Sequence, residues 1–257
     1  MGRITFLGTG DPLNEERAQT SLAVALAGGE TLLLDTSSGT ILLRQLATAG
    51  IALAGIRHIF VTHRHFDHAG GLAPLLVALT ALPDASVTVY AEPVTLHALR
   101  DLLALTIPGV EDWLGSRLHW RKTPPGATVQ VGDVALTPFS VEHGIECTGC
   151  VLAQGGRTAV FTADTRPCHA VVTAARAADL LIHEAYSLDA AAPAAHGFGH
   201  STAADAGRAA HAAGAQRLLL THLRARRFMD PAALSAEAAA QFGAPVEVAH
   251  DLAVAPF

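Results

Sequence analysis

Residues 61–71 read VTHRHFDHAGG, which puts three histidines and an aspartate into six consecutive positions, 63–68. An ordinary loop has no use for that much imidazole. The cluster follows the apolar run IRHIFVT, which reads as a buried strand, and precedes GGLAPLLVALTAL, which reads as a core helix. A strand alternates its side chains, so His63 and His65 are expected to face one way. The chain then turns and presents Asp67 and His68 from the strand's end. Neutral imidazole plus carboxylate is a zinc-type ligand set, so one cation can take the first pair and a second cation the other.

Two metals need more ligands than one cluster gives. They arrive at the ends of other strand-like runs: His143 closes FSVEHG, Asp164 closes VFTAD, and His222 closes LLLTH. A side chain at the rigid edge of a strand is well placed to join a shared site.

The rest of the chain alternates in the same way. RITFLG, SLAVALAG, TLLLDTS and SVTVYAE read as strands of the first part, with helices at GTILLRQLATAG and PVTLHALRDLLAL. TVQVGDVALTPFSVEHG, CTGCVLAQG, TAVFTAD, DLLIHEA and RLLLTH read as strands of the second part. PCHAVVTAARAA, STAADAGRAAHAAG and PAALSAEAAAQFG read as its helices. Two groups of strands with helices between them suggest a sandwich of sheets covered by helices. No repeat, charge block or linker interrupts residues 1–257, so one domain is expected.

With 17 basic against 23 acidic residues the formal net charge is −6, which argues against a non-specific nucleic-acid binder. The longest apolar run, LAPLLVALTALP, is too short and too proline-broken to span a bilayer, and MGRITFLGTG lacks a signal peptide's apolar stretch. Three cysteines, an odd number, favour a reducing compartment, and the cytoplasm is the expectation. Cys147 and Cys150 form a C-x-x-C pair in a strand-like run, to which the sequence assigns no role.

The chain resembles the metallo-β-lactamase superfamily, and within it the ribonuclease Z-like branch of tRNases Z, arylsulfatases and phosphodiesterases. THRHFDHAGG resembles the metal signature; ITFLGTGDP, TLLLDTSSGT, VEHG, FTADTR, LLIHEA, GHSTAADAG and LTHLRARR resemble the branch's other motifs, in order. HEA and GHST narrow the resemblance to the branch. It implies an α/β protein, an αββα four-layer sandwich holding two divalent cations, most often zinc with manganese or iron as alternatives. His63, His65 and His143 would hold one, Asp67, His68 and His222 the other, and Asp164 would bridge them. A water between metals ~3.5–4 Å apart would become the nucleophile, as a bridging hydroxide. Asp67 would also orient that water and take its proton. Glu184 would orient His200, which would protonate the leaving oxygen. Asp35 would support the ligands from behind. His183 reads as structural, and histidines 58, 97, 119, 169, 196, 211 and 250 carry no motif.

Three arginines are candidates for an anionic substrate: Arg226, where the branch usually has an arginine, Arg224 and Arg166. Arg224 stands where the branch has a serine, and Ala18 stands where it has an asparagine. Only GIECTGCVLAQGGRTAVFTA separates His143 from Asp164, which leaves no room for the flexible arm that grips tRNA in bacterial members. The expected activity is therefore dizinc hydrolysis of small phosphodiesters or related anionic esters such as aryl sulfates. The alternatives are tRNA 3′-end processing and a mononuclear iron oxidoreductase resembling the persulfide dioxygenases. A non-catalytic metal scaffold would leave His200 and Glu184 without a purpose. The expected partner is a small anionic substrate rather than a nucleic acid or a membrane, and the resemblance allows a homodimer.

Overall fold

In a computed structural model, which describes residues 2–225 and 229–257, the chain forms two seven-stranded sheets. The first contains β1 (Arg3–Gly8), β2 (Ser21–Ala25), β3 (Thr31–Leu34), β4 (Ile56–Val61), β5 (Val87–Ala91) and β6 (Leu118–Lys122). The second contains β7 (Val129–Val131), β8 (Val134–Ser140), β9 (Thr148–Gln154), β10 (Arg157–Phe161), β11 (Leu180–Glu184), β12 (Leu218–Thr221) and β13 (Glu247–Val248). β14 (Val254–Pro256) returns to the first sheet and pairs antiparallel with β1. Each sheet is antiparallel at one end and parallel at the other: β3 to β6 run parallel in the first, β10 to β13 in the second.

The helices are α1 (Ile41–Thr48), α2 (Phe66–Ala69), α3 (Leu72–Thr80), α4 (Pro93–Thr106), α5 (Val110–Leu114), α6 (His169–Ala174), α7 (Ala192–Gly197), α8 (Ala203–Ala213) and α9 (Pro231–Phe242). Their boundaries follow local chemistry. Glu92 caps α4 by accepting from the amides of Val94 and Thr95, with Pro93 in the first turn. Thr202 and Asp205 form a capping box on α8, which ends at Gly214 with φ +64°.

Three apolar layers hold the sandwich together. Phe6, Leu34, Phe60, Leu136, Phe161 and Ile182 lie between the sheets. Leu42, Leu75, Leu76 and Leu99 cover the first sheet's outer face, and Ala206, Ala210, Leu234 and Ala238 cover the second's. Alternate residues of a strand therefore face different layers, both of them apolar, and this is why the strands read as continuous apolar runs. The αββα expectation holds. Among the described residues no helix is long and apolar enough to cross a membrane.

The sheets meet at one edge. The amide and hydroxyl of Thr148, at the start of β9, both donate to the carbonyl of Thr62, just past β4. That edge collects the residues after β3, β4, β8, β10, β11 and β12. One expectation fails locally: β4 ends at Val61, so His63 and His65 belong to the loop beyond it. Their convergence comes from the loop and the start of α2, since strand alternation has ended by then.

Candidate metal centre

Three ligand atoms of the first group face each other at nearly equal spacing. Nδ1 of His65 lies 3.1 Å from Nε2 of His63 and 3.1 Å from Nε2 of His143. Nitrogens bound tetrahedrally to a metal at 2.0–2.1 Å sit about 3.3 Å apart, so this is metal-ligand spacing. In the second group, Nε2 of His68 is 3.4 Å from Asp67 Oδ2 and 3.3 Å from Asp164 Oδ2, and Nε2 of His222 is 3.4 Å from Asp164 Oδ2. Asp164 Oδ2 is also 3.7 Å from His63 Nε2 and 4.0 Å from His143 Nε2, so one oxygen serves both groups.

The hydrogen bonds behind the ligands fix which nitrogen faces inward. Thr62 gives its hydroxyl proton to Asp35, so Nδ1–H of His63 donates to the Thr62 oxygen at 2.9 Å. Nδ1–H of His143 donates to the Gly199 carbonyl at 2.8 Å, and Nδ1–H of His68 to Asp35 at 2.7 Å. Thr20 gives its proton to the Gly10 carbonyl and accepts from Nδ1–H of His222 at 2.9 Å. In all four the inward Nε2 is left as a lone pair. The buried atoms without a hydrogen-bond partner include Nε2 of His68 and His222, Oδ2 of Asp67 and Oδ1 of Asp164. Unpaired buried acceptors pointing at one another are costly unless a cation sits among them. The residues therefore fit two divalent cations.

Electrostatics agree. Burial pushes the imidazoles of His63, His143 and His222 below their ordinary range, His222 to about 4, keeping them in the neutral form that ligates. At His68 burial is outweighed by the carboxylates of Asp164, Asp67 and Asp35, which push the imidazole well above its ordinary range, so that a cation at Nε2 would take the place of the proton this negative charge otherwise draws. Three carboxylates around one point call for positive charge there. The backbone is strained at the same place: Asp35, Ala163 and His222 have φ of +59°, +54° and +56° although none is glycine.

Beside the metal groups, Nδ1 of His200 lies 3.1 Å from both Glu184 oxygens, and Glu184, His200 and Asp164 converge as a third group. Burial pushes Glu184 up to about 7. Burial opposes the charged form of His200, but the Glu184 carboxylate outweighs it and lifts the imidazole to about 9. The Thr165 amide donates to Glu184 at 2.6 Å, and the Ser201 hydroxyl donates to the Thr165 carbonyl at 2.6 Å, which locks three strand-end segments together. His183 is buried, with Nδ1 on the Glu184 carbonyl.

The arginines separate. Arg224 has its guanidinium carbon 4.9 Å from the Tyr186 ring centre. Arg166 donates its amide to the Glu142 carbonyl beside His143, and its Nε is buried without a hydrogen-bond partner. Arg226 and Arg227 lie outside the described residues. Cys147 and Cys150 are buried thiols of the inter-sheet core, pushed up by burial, and neither joins a ligand group among the described residues.

Sequence reasoning missed three residues here. Thr20 orients His222. Tyr186 stacks on His200 with ring centres 4.6 Å apart and planes 7° apart. Asp11 is almost fully buried, accepts from the Leu13 amide, and is pushed up to about 6 by burial while Arg224 and His200 pull it down. Only Asp11 and Tyr186 left a trace in the sequence, as neighbours of motif residues in GTGDP and HEAY.

Residues 30–223 match the family model described as a β-lactamase superfamily domain. Ribonuclease Z of Haloferax volcanii is 28% identical over 300 aligned positions, covering 97% of this chain and 93% of that protein. Ribonuclease Z of Halorubrum lacusprofundi is 30% identical over 303, covering 93% and 92%. Among solved structures, the metallo-β-lactamase fold protein YhfI of Bacillus subtilis superposes over the full length of both chains with a TM-score of 0.85 at 23% identity.

Proposed function

The chain belongs to the β-lactamase superfamily, in its ribonuclease Z-like branch, and we propose that it is a metal-dependent phosphodiesterase. The observation that carries this reading is the joining of two ligand groups and an acid–base pair through one carboxylate, Asp164. Cleavage of RNA in the manner of ribonuclease Z is the first reading, because relatives bearing that name align along nearly the whole chain.

Two divalent cations, held by His63, His65, His143 and by Asp67, His68, His222 with Asp164 shared, would supply Lewis acidity that activates water and takes up charge on phosphoryl oxygens. The chain's own residues do the rest. The Asp67 carboxylate, at the edge of the second ligand group, accepts a proton from the attacking water. Water oxygen bonds to phosphorus as the bond to the leaving oxygen breaks. His200, held by Glu184 through Nδ1, presents Nε2–H and gives that proton to the departing oxygen. Thr165 and Ser201 fix the carboxylate that fixes the imidazole.

A second reading, hydrolysis of a compact phosphodiester, is favoured by what the chain lacks. The relatives align over 300 and 303 positions, more than the 257 residues present, so they carry segments absent here. Between His143 and Asp164, β9 and β10 are joined by the Gly155–Gly156 turn alone, which leaves no room for a gripping arm. The net charge of −6 also suits few phosphate contacts. A one-iron oxygenase would leave Asp67, His68 and His222 without a task.

The test is hydrolysis of bis(p-nitrophenyl) phosphate and of precursor tRNA by the metal-loaded protein at rising salt. Cleavage of precursor tRNA at its 3′ end with steep salt dependence supports the first reading. Turnover of the small diester alone, with shallow salt dependence, supports the second. Failure on both overturns the phosphodiesterase.

A further inference from the structure

Leu181 of β11 packs into the apolar layer beneath α6 and α8, beside Val171, Ala206 and Ala210. His183, two residues on, leaves the strand on the same side and is 1% exposed. A histidine in an apolar layer has to place two polar nitrogens. Nδ1–H donates to the Glu184 carbonyl at 2.8 Å, which leaves Nε2 as a lone pair. Burial pushes the ring down to about 4, so it is neutral. Among the described residues no group donates to Nε2. The ring closes the inner end of a cavity of about 330 Å³ between α6 and α8. Its walls are Val171 and Val172 from α6 and Ala209 and Ala212 from α8. The charged groups that line it are already engaged. Arg208 donates to both Asp189 and Asp205, and Asp205 also accepts from His196 and from the amide and hydroxyl of Thr202. Cys168, half-buried, and the exposed His169 complete the rim.

We propose that this cavity binds a small neutral ring compound carrying one N–H or O–H donor, an indole or a phenol, and that Nε2 of His183 receives the donor. The site is separate from the metal centre, since His183 and Glu184 alternate to opposite faces of β11 and His183 joins none of the ligand groups among the described residues. A buried acceptor left without a donor costs free energy, and a ligand's donor recovers it. Water suits the place poorly. It needs two to four polar partners, and between walls of valine and alanine the imidazole gives it one. A carboxylate or phosphate suits it no better, because it would meet a lone pair at the inner end and a guanidinium already shared by two carboxylates. A ring with a single donor meets both demands: its faces bury against the apolar walls and its N–H or O–H turns to the imidazole. The volume lies at the lower end of the range of small-molecule pockets, which fits a compound of one or two rings.

Cys168 reports on the cavity from its rim, because Cys147 and Cys150 are buried in the inter-sheet core. Alkylation of Cys168 by iodoacetamide, followed by mass spectrometry on the metal-loaded protein, should slow saturably as indole is added. Indene, which keeps the shape of indole and lacks its N–H, is the control. The ratio of the concentrations at which the two protect should shift against indole by about three- to tenfold in His183→Phe, the size of one neutral hydrogen bond. Ala209→Trp, at a half-buried position on the wall, should abolish the effect of both compounds on the alkylation rate. No protection by indole in the wild type overturns the site, and protection that survives Ala209→Trp overturns its location. A ratio unchanged in His183→Phe overturns the role of the imidazole. If His183→Phe does not fold, the nitrogen resonances of ¹⁵N-histidine in the wild type decide that role: indole should move one Nε2 signal that indene leaves in place, and equal responses to the two compounds overturn it.

Discussion

Nδ1 of His200 is equidistant, at 3.1 Å, from the two oxygens of Glu184. A carboxylate that straddles one ring nitrogen fixes both the tautomer and the direction of the other nitrogen. His200→Ala should therefore leave the metal groups intact and slow hydrolysis by roughly 10²–10⁴. The loss should be greatest for alkoxide leaving groups. Equal losses for p-nitrophenolate and alkoxide leaving groups in steady-state assays would reduce His200 to a structural residue.

The same pair sets a pH dependence. His200 is lifted from its ordinary 6.5 to about 9, because Glu184 overcomes burial. Its folded value is above its unfolded value, so its contribution to stability is complete below about 6.5 and is lost as pH rises through about 9. Its proton is lost over the same upper limb. Rates on poor leaving groups should fall above about pH 9, and that limb should be missing in His200→Ala. A limb that persists in the variant would assign it to another group.

Asp35 touches no substrate, yet it accepts from His68 at 2.7 Å and from the amide and hydroxyl of Thr62 at 2.8 and 2.9 Å. Asp35→Asn places an amide donor among these donors and loosens the orientation of His68. The second metal should bind 10–100-fold more weakly, measured by competition with a chromogenic chelator. Unchanged affinity would mean that the loop after β4 holds His68 by itself.

Gly71 closes the histidine cluster for a steric reason. A Cβ at this position would lie 1.9 Å from the Thr36 carbonyl oxygen, and the amide of Thr36 donates to the His68 carbonyl at 2.6 Å. Gly71→Ala must push that backbone apart, with a loss of at least the ~1–3 kcal/mol typical of overpacking. Chemical denaturation reads the loss directly, and a midpoint equal to wild type would contradict it.

The sequence made the sandwich legible because each buried strand is a short apolar run ended by a ligand: Val61 before the cluster, Phe161 before Asp164, Thr221 before His222. The edge strands were less visible. β6, LHWRK, has one buried position of five, and β13 and β14 are two and three residues long, so pairing rather than pattern defines them. The ligand residues were legible as types at strand ends, but the loop geometry that joins His63 to His65 was not. Thr20 and Tyr186 reach the centre only through folding: Thr20 meets His222 across 202 residues, and no local period records a contact of that range.

The most direct measurement is the metal content of the protein at saturation. Seven ligating atoms in two overlapping groups with one shared oxygen should give close to two divalent cations per chain, and His68→Ala should lower this to one. Chelation should abolish phosphodiester hydrolysis, and added divalent metal should restore it. A single iron per chain, with no second binding event at any metal concentration, would contradict the dinuclear centre.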